Sequence, residues 1–179
     1  MEFRELYLEG ALEILPTVYE DDRGYFYESF NNKLKGKLKT DFVQSNHSFS
    51  KKGVLRGLHF QRGWFRQGKL VRVTHGKATD VIVDLRDGSA TFGKHLKIEL
   101  SAEKHNMLWV PRGFAHGFLA MTDCVFQYKC DNPYNKATDN GIRWDDPTLD
   151  IDWGIDTPTI SKKDSLLGPF CKDAVYFTM

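Results

Sequence analysis

Short runs of alternating polar and apolar residues, separated by Gly, Asn and Asp turns, constrain the fold of this chain most strongly. Residues 79–86 show the alternation plainly, with three aliphatic side chains on one face: Val81, Val83 and Leu85. Residues 94–100 repeat it. A period of two residues is the signature of a β-strand whose two faces meet different surroundings. The chain is therefore predicted to be all-β.

The strand pattern predicts a barrel in which helices have a minor part. Ten strands are predicted, at residues 13–18, 24–30, 40–48, 53–60, 69–75, 78–86, 95–100, 106–110, 117–121 and 124–130. Many short strands at near-regular spacing are typical of an antiparallel barrel or double-sheet jelly roll. We predict one short helix at 31–38, and hairpin turns at 75–77 and 86–89. From Asn132 onward, four prolines predict a loop-rich C-terminal segment wrapped over the barrel.

Size and charge exclude several classes of protein. The length of 179 residues suits a single domain spanning 1–179. The 25 Lys and Arg nearly balance the 24 Asp and Glu, so no general field would attract nucleic acid or a membrane. No apolar stretch approaches the ~18 residues of a transmembrane helix. Three sparse cysteines form neither a disulfide framework nor a CxxC zinc motif, which predicts a cytoplasmic protein.

One motif points to a cupin-type barrel without a metal. Residues 111–118 resemble the second cupin motif, P-x-G-x-x-H, which delivers His116 into the barrel. The first cupin motif would supply an H-x-H pair and a downstream Glu. Here only His59 is present, because Gly57 and Gln61 flank it at the corresponding positions. Two isolated histidines make a poor iron or zinc site, which disfavours a metal-dependent cupin oxygenase.

His59 stands in an apolar stretch, where a histidine is more often a hydrogen-bonded core residue than a catalyst. Strict alternation puts Arg56 and His59 on opposite faces of their strand. Either a bulge at Gly57 brings them together, or Arg56 precedes the strand.

Lys69 and Tyr128 are both predicted to point into the barrel. Lys69 lies two and four residues before Val71 and Val73, so it is on the same, apolar face of the strand. A lysine that points into the barrel needs an anionic partner or a ligand. Asp84, on a nearby predicted strand, is the expected partner. Tyr128 shares the parity of Phe126. Taken alone, it is best interpreted as a core tyrosine whose hydroxyl bonds to backbone.

An ordered set of motifs resembles the dTDP-4-dehydrorhamnose 3,5-epimerase family. The set lies at residues 22–24, 44–48, 54–60, 68–72, 80–86, 113–118, 141–144 and 161–164. It runs from about residue 10 to residue 169 in the family's order, without large gaps. A single piece would be weak, but the ordered set is highly specific.

The resemblance implies a cupin homodimer that needs no metal and no cofactor and acts on a dTDP-linked 4-keto-6-deoxy sugar. Its N-terminal strands would cross onto the partner barrel. By the family pattern His59 is the base, oriented by Asp164; Tyr128 donates the proton, and Lys69 lies near the keto oxygen. The ligand-contact positions fall on Arg23, Glu28, Gln44, Ser45, Asn46, Arg56, Lys69, His116, Tyr134, Asp139 and Lys163. Among these, Tyr134 would stack on thymine, and Asp139 replaces the usual Glu.

These residue types fit the expected chemistry. A C4 ketone acidifies the hydrogens at C3 and C5, and a histidine has the near-neutral pKa that their removal needs. A positive charge such as that of Lys69 would stabilise the enolate oxygen. A mono-epimerase acting at C3 or C5 alone remains an alternative, because it would use the same base. A sugar-nucleotide binding module is another, although it has no use for His59, Asp164 and Tyr128.

Overall fold

The computed structural model describes residues 1–177 and has thirteen strands and one α-helix in that range. The strands are β1 (Glu2–Glu5), β2 (Leu12–Leu15), β3 (Tyr19–Asp21), β4 (Gly24–Phe26), β5 (Gln44–Ser50), β6 (Leu55–Gln61), β7 (Lys69–His75), β8 (Lys77–Asp84), β9 (His95–Ser101), β10 (Met107–Val110), β11 (Phe114–Ala120), β12 (Cys124–Cys130) and β13 (Asp139–Gly141). The helix is α1 (Asn32–Leu38), and short 3₁₀ helices span Gly63–Phe65, Lys136–Thr138 and Asp164–Leu166.

Two antiparallel sheets face each other and enclose the main core. The first has the strand order β1-β2-β10-β7-β12-β5, and the second has the order β13-β6-β11-β8-β9. Phe118 of the second sheet stacks on Phe126 of the first, with ring centroids 4.0 Å apart. Around them pack Val71, Val73 and Ile82. This arrangement confirms the predicted all-β cupin-type jelly roll.

The outer face of each sheet is also covered. Helix α1 places Leu34 and Leu38 on the first sheet, against Leu70 and Trp109. Its N-cap is Asn31, whose side chain accepts a hydrogen bond from Leu34 N, so the helix itself begins one residue later than the predicted 31–38.

The second sheet is covered by the C-terminal segment. Trp153 and Phe170 pack against Val81 and Val83, so β8 is buried on both faces. The predicted wrapping of this segment over the barrel is confirmed, and it carries Asp164 to Gly57 and His59 of β6.

Two predicted strands, at 69–75 and 124–130, have the observed bounds. The predicted strand at 117–121 begins earlier, at Phe114, and the one at 24–30 already ends at Phe26. The turn at 75–77 does not close a hairpin, because β7 pairs with β10 and β12 whereas β8 pairs with β9 and β11. The turn at 86–89 does connect antiparallel neighbours, β8 and β9. Three strands were not predicted: β1, β3 and β13.

A bulge in β6 resolves the positions of Arg56 and His59. His59 pairs with His116 of β11 and Arg56 with Phe118, so three steps on β6 oppose two on β11. Gly57 lies inside this bulge with φ at +134°, and a Cβ there would lie 2.5 Å from the Gly117 Cα. Only glycine fits such a conformation and such an approach. The bulge predicted at Gly57 is confirmed, and both Arg56 and His59 line one cavity.

Candidate active site

A cavity of about 520 Å³ opens between the two sheets and the C-terminal segment. Four of its lining side chains come from strands of both sheets: His59 and His116 from the second, Lys69 and Tyr128 from the first. A polar cleft of about 230 Å³ continues from it and shares His59, Lys69 and Tyr128. The two together have room for an elongated ligand.

His59 and Asp164 form a hydrogen-bonded pair at the wall of this cavity. His59 Nε2 lies 2.6 Å from Asp164 Oδ1, and Oδ2 accepts from the backbone N of Gly57 at 3.4 Å. The Asp164 side chain is buried, whereas that of His59 is 29% exposed. Burial raises the pKa of the Asp164 carboxyl, but the hydrogen bonds from His59 and Gly57 outweigh it, so the pKa lies below its ordinary value.

The consequence is an ionised carboxylate beside an accessible imidazole. When Nε2 carries the ring proton and donates a hydrogen bond to Asp164, the lone pair of the ring is left on Nδ1. The carboxylate also stabilises the imidazolium that forms when the ring takes up a proton. This is the electrostatic arrangement of a general base.

Lys69 reaches the cavity from β7, and burial lowers the pKa of its ammonium. Cys130, Asp80 and Asp139 act in the opposite direction and favour the charged form. The prediction that Asp84 is the anionic partner of Lys69 is wrong. Its carboxylate is fully buried elsewhere, where it accepts hydrogen bonds from Arg86 at 2.7 Å, Ser89 at 2.7 Å and Thr91 at 2.7 Å.

Tyr128 lies on β12, in the sheet opposite His59. It packs beside Phe126, as its parity predicted, and lines the cavity. Burial raises the pKa of its phenol, so the hydroxyl carries its proton at neutral pH.

A second histidine–aspartate pair lies deeper. His116 Nε2 is 2.8 Å from Asp80 Oδ2, and both side chains are buried. Burial raises the pKa of the Asp80 carboxyl, and the interaction with His116 offsets only part of this effect. Asp80 Oδ1 has no hydrogen-bond partner within the part of the chain that the structure describes. Sequence reasoning missed Asp80 here. It lies on the same face of the predicted strand as Asp84, and alternation alone could not show which of the two carboxylates faces the site.

At the polar end of the site, Asp139 joins two of the other predicted residues. Asp139 Oδ2 accepts from Tyr134 OH at 2.8 Å and from Lys163 Nζ at 2.5 Å. Gln44 Oε1 accepts from the Tyr134 backbone N at 2.9 Å, and Gln44 Nε2 donates to Asn46. The structure therefore brings most of the predicted site together: His59, Lys69, Tyr128, Asp164, Gln44, Asn46, Arg56, His116, Tyr134, Asp139 and Lys163.

Three predicted contact residues lie elsewhere in this chain. Arg23 forms an ion pair with Asp21 on the β3–β4 hairpin, and Glu28 accepts from the side chain of Asn31. Ser45 faces a small cavity outside the barrel. Sequence reasoning also missed Ser161, whose hydroxyl accepts from the backbone N of Asp164 and holds the start of that 3₁₀ helix.

The described residues contain neither a metal cluster nor a membrane-spanning helix. Within residues 1–177, no three His, Cys, Asp or Glu side chains are grouped so that they could hold a metal ion. Over the same residues, no helix has the length and apolarity needed to cross a membrane.

Comparison with known proteins identifies the family. The sequence model described as dTDP-4-dehydrorhamnose 3,5-epimerase matches residues 5–171. This chain belongs to that family. The dTDP-4-dehydrorhamnose 3,5-epimerase of Methanothermobacter thermautotrophicus is 49% identical in an alignment of 175 residues, with a coverage of 94% for this chain and 94% for that one.

Solved structures agree with this assignment. The crystal structure of the Elizabethkingia anophelis dTDP-4-dehydrorhamnose 3,5-epimerase superposes with a TM-score of 0.91 at 46% identity, covering 98% of this chain and 99% of that one. A Legionella pneumophila dTDP-6-deoxy-D-glucose 3,5-epimerase, solved with dTDP-4-keto-L-rhamnose, has a TM-score of 0.90 at 40% identity, covering 94% of this chain and 92% of that one. The predicted enzyme class, an isomerase of the epimerase type, is confirmed.

Proposed function

We propose that this enzyme inverts C3 and C5 of dTDP-4-dehydro-6-deoxy-D-glucose and releases dTDP-4-dehydro-L-rhamnose. One observation carries the proposal: an ionised Asp164 supports His59 at a cavity that Tyr128 lines from the opposite sheet. The Legionella relative was solved with dTDP-4-keto-L-rhamnose, which supports the same substrate class for this chain.

His59 removes the proton from C3 or C5, and the electron pair of the C–H bond delocalises onto the C4 oxygen as an enolate. The imidazolium that results is stabilised by Asp164. Lys69, in its charged form, stabilises the enolate oxygen. Asp80 and Asp139 help to maintain that charge against the effect of burial.

Inversion requires that a proton return to the carbon from the other face. Tyr128 donates it, because its phenol is protonated at neutral pH and β12 lies in the sheet opposite β6. The re-formed ketone leaves His59 protonated and Tyr128 deprotonated, and exchange with solvent restores both. The same pair serves each carbon in turn.

The nucleotide binds along the polar cleft. Arg56, which lines the main cavity, and Lys163, which lines both the cavity and the cleft, suit the diphosphate. The guanidinium would bind by bidentate geometry and the ammonium as a point charge. Tyr134, which is half exposed, offers an aromatic face to thymine.

A homodimer with exchanged N-terminal strands completes the site. The β3–β4 hairpin exposes Tyr19, Tyr25 and Phe26, each by more than half. Among the described strands, β5 is hydrogen-bonded on one side only, by β12, and such an edge invites pairing with another chain. Exchange would bring Arg23 and Glu28 to the partner's cavity. Residues 1–179 then form one domain per subunit, and the unpaired cysteines fit the reducing cytoplasm.

Turnover in deuterated water tests the function. The enzyme is incubated with dTDP-4-dehydro-6-deoxy-D-glucose, and deuterium in the product is located by NMR. Deuterons at both C3 and C5 are expected. One deuteron would show a mono-epimerase, and none would reduce the protein to a sugar-nucleotide binder.

A further inference from the structure

Asp139 stands among residues that the resemblance assigns to ligand contact, yet its carboxylate is already engaged within the protein. One oxygen accepts from both Tyr134 OH and Lys163 Nζ, at 2.8 and 2.5 Å. The side chain is only 11% exposed. These two contacts use about half of the acceptor sites of the carboxylate, so the protein already holds it before a ligand binds.

The charge of Asp139 also argues against direct contact with an anionic ligand. A carboxylate beside a diphosphate would repel it unless a cation intervenes. Lys163 is that cation, because its ammonium lies on the carboxylate at hydrogen-bonding distance. The pair presents a neutralised acid and an oriented ammonium to the cleft.

The Tyr134 ring is fixed from two directions. Its backbone N donates to Gln44 on β5, and its hydroxyl donates to Asp139 on β13. Its face nevertheless remains half exposed. β13 is itself fixed to the catalytic strand, because Asp139 pairs with Gln61 of β6.

Lys163 gains most from being held. Its side chain is 52% exposed and would otherwise sample many rotamers in water. Binding a ligand would then have to immobilise the lysine as well as the ligand. Fixing a side chain before binding removes that cost from the affinity.

We propose that Asp139 is a positioning residue, which holds the Tyr134 ring and the Lys163 ammonium as one unit that is matched in advance to a nucleoside diphosphate. The proposal rests on the proposed function for the class of ligand. It assigns Asp139 a role through its two neighbours.

The test measures binding of dTDP by calorimetry, without turnover, in the full-length protein. Asp139→Asn keeps the shape and loses the charge, and we expect the dissociation constant to rise about 10-fold, the effect of losing a charge-assisted contact that preorganises the site. The kcat should fall far less than the affinity. Asp152→Asn is the matched control, because Asp152 also accepts from a lysine, Lys97, but is exposed and outside the cavity. It should bind dTDP like the parent.

A double-mutant cycle separates positioning from a loss of folding. Tyr134→Phe and Lys163→Met are made singly and together, in the parent and in Asp139→Asn. If Asp139 links the two side chains, their effects on affinity depart from the product of the single effects by about 3-fold or more in the parent, and multiply in Asp139→Asn. Thermal unfolding without ligand checks that each variant is folded.

Two results would overturn the proposal: a dissociation constant for Asp139→Asn within 2-fold of the parent, or equal coupling in both backgrounds. Failure of the proposed function looks different. In that case the parent would fail to bind dTDP or would bind it without turning over the sugar.

Discussion

Two histidine–aspartate pairs lie side by side in this enzyme and have opposite surroundings. His59 and His116 face each other across β6 and β11, with their carboxylate partners at 2.6 and 2.8 Å. Asp164 comes from the C-terminal segment and accepts a backbone N–H as well as His59. Asp80 comes from the middle of β8, and one of its oxygens has no partner among residues 1–177.

The difference shows that environment, rather than residue type, decides which pair is the base. Asp164 is stabilised as an anion, so it can balance the charge that His59 gains. Burial disfavours the Asp80 anion, so a charged pair is costly there. Exposure agrees, since the His59 side chain is 29% exposed and that of His116 8%.

Removing the charge of each aspartate should give the largest difference between the two histidine–aspartate pairs. Asp164→Asn should lower kcat by about 10³–10⁴-fold, because loss of the carboxylate misorients the base and removes support for its charged form. Steady-state kinetics at pH 7 measure the effect. The corresponding variant of the second pair, Asp80→Asn, should lower kcat much less. If the two variants were equally impaired, the assignment of the base to the first pair would be wrong.

Tyr128→Phe separates removal of a proton from its return. The His59–Asp164 pair can still form the enolate, so deuterium exchange at C3 should persist. Net inversion at C5 should fall by about 10²–10⁴-fold, the usual contribution of a positioned general acid. NMR of product stereochemistry and deuterium content reads both effects. Equal loss at both carbons would make Tyr128 a packing residue.

Stability sharpens the contrast between the carboxylates. The folded-state pKa of Asp80 is raised, so its contribution to stability falls as pH rises from the ordinary aspartate range through that value. Between pH 4 and pH 7, the free energy of unfolding of Asp80→Asn should therefore rise by about 1 kcal/mol relative to that of the parent. Asp164 has a lowered pKa, so its stabilising contribution is lost as pH falls. Denaturant unfolding at both pH values measures this, and a parent-like pH dependence in Asp80→Asn would contradict it.

The smallest expected effect is on the alkaline limb of the pH profile. Burial lowers the pKa of Lys69, so activity should decline below the pH at which an ordinary lysine loses its charge. Asp80 favours the charged form, so Asp80→Asn should move the decline to lower pH. The control Asp152→Asn should leave it in place. A profile of kcat from pH 7 to 10 shows the difference.

The strands and the site were open to sequence reasoning to different degrees. Alternation placed β7, β8 and β12 because their side chains meet two distinct surroundings, whereas β3 is exposed throughout and left no pattern. The pair of His59 and Asp164, 105 residues apart in sequence, came from the family resemblance, since periodicity says nothing about a distant loop. The partner of His116 was missed because Asp80 and Asp84 share a face, and only the packing between the sheets distinguishes them.

Deuterium exchange in His59→Asn, compared with His116→Asn, tests the account most directly. Each variant is incubated with dTDP-4-dehydro-6-deoxy-D-glucose in deuterated water, and both carbons are followed by NMR. Because a single imidazole serves both carbons, His59→Asn should incorporate no deuterium at C3 or C5 while it still binds dTDP, and His116→Asn should retain exchange at both. Exchange at either carbon in His59→Asn would show a second base and contradict the account.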